Sequence, residues 1–246
     1  MTPTPVAVVT GCDYGLGAET AREGVARGWR VLAGCLKPGR AAALRALAAP
    51  HRQGSGRAHP GRLAVFGLDQ STERGVRAGA AAIRKLTKRV DLLVNVAGIY
   101  FEDGLDRVNF KDFQRMFAVN AFGPAVLVRA LRPLLKAAQG AKIVNVTSES
   151  GSLATVNSAR PILAYAASKA AANMLSRKQA FELKADGVKV IALHPGWMNT
   201  PMGRLGGPNP SQDPAATARD IFTLVERLDA GMSGGFFWHH GKPFPW

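Results

Sequence analysis

The chain has 246 residues, 47% of them hydrophobic, which is enough for one substantial core in a single α/β domain spanning 1–246. Two cysteines, Cys12 and Cys35, exclude a disulfide framework; no apolar run reaches membrane-span length, and the first residues lack a signal peptide's charged and apolar regions, so a cytoplasmic protein with no membrane partner is expected. The formal net charge of +15 admits an anionic ligand, but the cations are spread along the chain without zinc-finger spacing or an aromatic-basic RNA signature, so a solvated basic surface and no nucleic-acid partner are expected.

Residues 6–10 are a short apolar, β-branched run, the pattern of a buried strand. The stretch Gly11-Cys12-Asp13-Tyr14-Gly15-Leu16-Gly17 follows, and a helical pattern over 18–28 closes on Gly28. Strand, Gly-rich turn and helix in this order is the setting for dinucleotide binding. The glycines let the backbone turn sharply and approach a pyrophosphate at the helix N-terminus. Residues 30–35 form a second strand. NAD-binding chains carry an acid near this strand's end for the ribose 2′-hydroxyl. This chain has Leu36-Lys37-Pro38-Gly39-Arg40 instead. Lys37 and Arg40 are placed to meet a 2′-phosphate, which favours NADP over NAD. Cys12 and Cys35 end neighbouring strands, so both thiols are expected close to the adenosine site.

Residues 41–49 read as a helix and 51–62 as a basic surface loop. His51 and His59 in that loop lack further ligands, and no metal site is expected. Strand 63–66 leads to Asp69, at the kind of strand end where open α/β sheets bind ligands. Ser71 and Thr72 can cap the next helix, 73–89. Residues 91–98 run from a buried strand into a small-residue turn. Asn95, an amide among apolar neighbours, needs partners and reads as glue between strands. Residues 110–135 give one or two long helices with Asn120 in their midst, a place where asparagine is usually exposed or holds a water. Strand 142–148 brings Ser148 to its end. Loop 149–160 precedes the helix bearing Tyr165 and Lys169, which project from one face at a spacing of four. A nearby ammonium favours the phenolate and lowers the phenol's pKa from about 10 toward working pH. The result is a proton donor or acceptor for a carbonyl or an alcohol. Strand 188–193, loop 203–214 as a candidate mobile lid, helix 217–228 and strand 234–238 complete the chain. This alternation implies a Rossmann-type doubly wound parallel sheet of about seven strands with helices on both faces.

Together these motifs resemble the short-chain dehydrogenase/reductase family over nearly the full chain. Thr10-Gly11-x3-Gly15-x-Gly17 is similar to its glycine motif and Asn95-x-Ala97-Gly98 to its N-A-G segment. Asn120, Ser148, Tyr165 and Lys169 fall, in order, where its catalytic tetrad falls, and Pro195-Gly196 with Thr200 resembles its motif beside the nicotinamide. His194-Pro195-Gly196-Trp197-Met198-x-Thr200-x-Met202-Gly203 and the ending Gly241-Lys242-Pro243-Phe244-Pro245-Trp246 look like the branch of the C-factor proteins and sniffer-type carbonyl reductases.

The resemblance implies an NAD(P)H-dependent oxidoreductase interconverting a ketone or aldehyde with an alcohol. Tyr165 would be the general acid or base. Lys169 would lower its pKa and hold the ribose, Ser148 would orient the substrate oxygen, and Asn120 would hold a proton-relay water. The implied cofactor residues are Gly11, Asp13, Tyr14, Gly15, Leu16, Gly17, Leu36, Lys37, Arg40, Asp69, Asn95, Ala97, Gly98, Pro195, Gly196, Trp197, Met198 and Thr200, with Tyr165 and Lys169. Substrate choice is expected from Tyr100, Phe101, Ser148, Glu149, Ser150, Trp197, Met202 and loop 203–214, whose aromatics suggest a partly apolar pocket. Tyr14 and Leu36 depart from the arginines of many NADP-preferring members, so NADP preference rests on Lys37, Arg40 and the missing acid. A homodimer or homotetramer through the two long helices is implied. The alternative is a catalytically silent cofactor-sensing protein of C-factor type, against which the intact tetrad argues.

Overall fold

The structure is a computed structural model that describes residues 3–48, 62–156 and 160–246. The histidines of the expected basic loop, His51 and His59, lie outside the described residues. Seven strands form one sheet: β1 Val6–Thr10, β2 Arg30–Cys35, β3 Leu63–Gly67, β4 Leu92–Asn95, β5 Lys142–Val146, β6 Lys189–His194 and β7 Phe236–Trp238. Their order is β3-β2-β1-β4-β5-β6-β7, and every pairing is parallel. The helices are α1 Gly15–Ala26, α2 Ala42–Ala48, α3 Glu73–Leu86, α4 Phe110–Phe117, α5 Gly123–Ala137, α6 Leu163–Glu182, α7 Pro201–Leu205 and α8 Pro214–Arg227.

The central strands are apolar throughout because helices cover both faces of the sheet. Alternate residues divide between two cores. Val9, Ala33, Val94, Val144 and Ile191 pack beneath α1 and α8, with Phe222 at the centre. Val8, Leu32, Leu93, Ile143 and Val190 pack against α3, α5 and the end of α6. The strand order reverses between β1 and β4. The carboxyl ends of these strands therefore part around a crevice, the usual ligand position in such sheets.

Several elements differ from expectation for local reasons. α1 begins at Gly15, not 18, because the glycine turn winds directly into the helix. α3 stops at Leu86, where Thr87 turns extended and its hydroxyl donates to Arg89 O. Residues 110–137 make one helical rod interrupted by a π-helical turn, Ala118–Phe122. That rod is 28 residues long and apolar enough to meet the length and composition of a membrane span. It uses this apolarity in the core, where Leu127, Leu131 and Leu135 are buried. The expected lid begins as the short helix α7, capped by the Thr200 hydroxyl, which accepts from Gly203 N.

Two polar devices register the strand ends. Thr10 Oγ1 accepts from the backbone of both Val96 and Ala97 at 3.1 Å, joining the end of β1 to the turn after β4. Asn95 Nδ2 donates to Asn145 Oδ1 at 2.8 Å, and Asn145 Nδ2 donates to Ser176 Oγ and Gln179 Oε1 on α6, each at 3.0 Å. Asn95 is thus the glue its buried amide suggested. Replacing Thr10 with isosteric valine removes one acceptor from two partly buried N–H groups. We expect Thr10→Val to lower unfolding stability by about 1–3 kcal/mol in urea titration; an unchanged midpoint would count against this account of the crevice.

Candidate active site

A cavity of about 1090 Å³ opens at the carboxyl ends of the strands. Gly11 and Gly15 on its floor have φ of +69° and +60°. A Cβ on Gly17 would stand 2.3 Å from Gly11 O, so only glycine lets the turn close on α1. The N-termini of α3, α4 and α8 are capped by Thr72, Asn109 and Asp213. That of α1 has no side-chain cap and no acid in its first turn. Its amides face the cavity free to meet a pyrophosphate. At the adenosine end, Lys37 and Arg40 are exposed and line the cavity. All acids of the chain lie among the described residues, and none pairs with either cation. An acid does reach the end of β2, by a route the sequence hides. Asp13, from the glycine turn, accepts from Leu36 N and Lys37 N, both at 2.8 Å. Gln70 lines the cavity with both amide atoms buried and unpartnered among the described residues. Such a group fits a ligand with both a donor and an acceptor edge, as adenine has.

The other end of the cavity is built where β5 and α6 meet. Gly151, in the turn after Ser148, packs on the backbone of α6; a Cβ there would lie 2.5 Å from the carbonyl carbon of Lys169. Asn173 Nδ2 holds the same turn through Gly151 O at 3.1 Å. Ser148 is thereby brought against Tyr165. The Tyr165 ring stands edge to face with Tyr100, centroids 5.1 Å apart. Lys169 is 4% exposed and donates to Val146 O at 3.1 Å, its one acceptor among the described residues. Three ammonium protons with one acceptor leave room for ligand hydroxyls. The residues present therefore fit a dinucleotide, with phosphate at the turn and a ribose at Lys169.

The electrostatics correct one expectation. Burial pushes the Tyr165 phenol up to about 12. Hydrogen bonding by Ser148 opposes this, Tyr100 adds to it, Arg160 opposes it, and Glu149 adds to it. In the ligand-free chain burial, not the neighbouring Lys169, dominates this phenol. The Lys169 ammonium sits 5.7 Å from the ring centroid, and burial drives its own pKa down to about 8. Desolvation outweighs attraction, because both groups are taken out of water together.

All the expected cofactor residues line this cavity except Asn95, whose Nδ2 donates to Asn145 while its Oδ1 is buried without a partner among the described residues. Of the expected substrate residues, Tyr100, Ser148, Glu149, Ser150, Trp197 and Met202 line it; Phe101 lies under Arg115, 4.9 Å from the ring centroid, and of loop 203–214 Gly203 and Gly206 reach the cavity. Asn120 is buried behind the cavity, not exposed. Its Oδ1 accepts from Ile99 N at 2.8 Å, and its Nδ2 donates to Ile99 O at 3.0 Å and Ser168 Oγ at 2.9 Å. The π-turn rotates it inward. Cys12 and Cys35 belong to the apolar core, not the cavity, and burial pushes both thiols up. Sequence reasoning missed Gln70, Lys111, Arg115, Arg160 and His194, all of which line the cavity. His194 carried a signal, since a histidine ends a buried strand there; its Nδ1 accepts from Glu149 N at 3.1 Å.

A dinucleotide cradle continuous with a serine, tyrosine and lysine cluster defines an oxidoreductase that works with a bound nicotinamide cofactor. Residues 5–208 match the short chain dehydrogenase family model, and the chain belongs to that family. It is 35% identical to the C-signal of Myxococcus xanthus over 168 residues, 68% of this chain and 99% of the relative. It is 30% identical to 1-hydroxy-2-glutathionyl-2-methyl-3-butene dehydrogenase of Rhodococcus sp. (strain AD45) over 240 residues, 97% of this chain and 98% of the relative. An NADPH-bound carbonyl reductase from chicken fatty liver superposes with a TM-score of 0.88 at 28% identity, covering 99% of both chains. The carbonyl reductase Sniffer of D. melanogaster shares the fold at a TM-score of 0.87 and 23% identity, with 99% of both chains covered.

The buried lysine has a measurable cost. Its folded pKa lies below its unfolded value, so the unfolded chain binds the extra proton. The penalty is complete below pH 8 and fades as pH rises toward 10.5. We expect Lys169→Met to stabilise the ligand-free protein at pH 7 by on the order of 2–3 kcal/mol and to lose most of that gain by about pH 10. Calorimetric melting at both pH values checks this; an equal or lower Tm for the variant at pH 7 would contradict it.

Proposed function

We propose that the chain reduces a ketone or aldehyde to its alcohol with NADPH, and runs in reverse when the cofactor ratio favours oxidation. The observation that carries this reading is that one cavity runs from the glycine turn to Tyr165 and Ser148. A hydride donor and a proton donor are thus offered to the same carbonyl. The bound cofactor supplies the hydride. Ser148 orients the substrate oxygen and donates to the charge that develops on it. Tyr165 protonates that oxygen, a downhill transfer even from a phenol of about 12, because an alkoxide is a far stronger base. Lys169 holds the ribose through the donors that Val146 leaves free. Asn120 is a positioning residue: it ties the π-turn to Ile99 and to α6, and Oδ1 keeps a lone pair for a relay water.

The unpaired Lys37 and Arg40 support NADP over NAD, as does the NADPH bound by the chicken liver neighbour. Exposed Phe110 and Phe122 on the long rod, with Met174 and Phe181 on α6, support a homo-oligomer through these helices. A cofactor-sensing protein without turnover is the second reading, favoured by the likeness to C-signal.

The test follows the loss of reduced-nicotinamide absorbance with NADPH and a panel of aldehydes and ketones. We expect turnover, and a fall of roughly 10²–10⁴ in kcat for Tyr165→Phe with cofactor affinity retained. Cofactor binding with no turnover of any carbonyl or alcohol would favour the sensor.

A further inference from the structure

We propose that the substrate carries an anionic group, a carboxylate or a similar planar oxyanion, held by Arg160 at the cavity mouth across from Tyr165. The proposal deepens the reductase reading of this site and rests on it. Arg160 lies just before α6 and lines the cavity. Its Nη2 donates to Gly206 O, beyond α7, at 3.2 Å. It stands near enough to Tyr100, whose ring packs edge to face on that of Tyr165, to hold the Tyr100 phenol down against burial. The guanidinium is therefore held at the α7 segment on the side of the proposed proton donor, and its positive charge opposes the rise of the Tyr165 phenol.

No carboxylate of the chain pairs with it, and all the acids are among the described residues. A guanidinium has five donors in a rigid fork matched to a planar oxyanion. The Gly206 carbonyl uses part of that fork, and the rest faces the cavity. Lys111 and Arg115 line the same cavity, also without ion pairs. Beyond the adenosine end, Glu149 is the one carboxylate among the lining residues, and it lies 3.7 Å from His194 Nε2. Trp197 and Ile162 supply apolar walls nearby. The preferred substrate is then an apolar carbonyl compound with an acid at its far end.

Two matched aldehydes test this: 4-formylbenzoate and its methyl ester. We expect the wild-type protein to favour the acid by about tenfold in kcat/KM. Arg160→Gln should bring the ratio near one, and Arg160→Lys should keep part of it. Calorimetric titration of both aldehydes into the NADP⁺-loaded protein, which cannot reduce them, should show the same ratio in Kd. Equal handling of acid and ester by the wild type, or a ratio indifferent to Arg160→Gln, would overturn the proposal while leaving the reductase reading intact. An acid preference in binding with no turnover of either aldehyde would do the reverse.

Discussion

The structure turns on one uncompensated cation. The Lys169 ammonium is buried with a single backbone acceptor and no counter-charge. Taking a charge out of water is expensive unless it is paired, and the fold holds it there all the same. The surroundings are built to keep it in place. Gly151 lets the Ser148 turn rest on the lysine's own backbone. The Asn145 amide fixes α6 to β5 through Ser176 and Gln179. Asn120 fixes the facing rod to the same helix through Ser168. Together these contacts place Tyr165, Ser148 and Lys169 on one wall.

That wall meets the dinucleotide cradle because the strand order reverses between the parallel neighbours β1 and β4. Thr10 stitches the two strand ends together, so the glycine turn and the Ala97-Gly98 turn face each other across the crevice. Cations without ion pairs stand at both ends of the cavity: Lys37 and Arg40 at one, Arg160 at the other. Those are the two places where the proposed reading puts an anion.

Much of this was legible in the residues. Strand identity followed from continuous apolar, β-branched runs, and the cradle followed from glycines placed between a strand and a helix. Tyr165 and Lys169 were legible as a pair because helical spacing puts them on one face. Their electrostatics were not. Spacing reports proximity but not solvent, and here shared burial raises the phenol and lowers the amine. For Asn120 the residues left exposure and a held water both open, because a π-turn changes which way a side chain points without changing the sequence pattern. Asp13 reaching the end of β2, and Arg160 reaching the cavity mouth, depend on how loops far apart in sequence fold over one crevice. Asn95 could serve strand pairing or cofactor, and only the register with Asn145 decides between them.

The central claim is that Lys169 is held desolvated and short of acceptors until a dinucleotide ribose completes its shell. The most direct measurement is the pKa of the Lys169 ammonium by ¹⁵N-lysine NMR, assigned with Lys169→Arg, in the free protein and with NADP⁺. We predict a value near 8 in the free protein and a rise on binding, as ribose hydroxyls accept from the ammonium. A free-protein value near the ordinary 10.5, unchanged by cofactor, would contradict it.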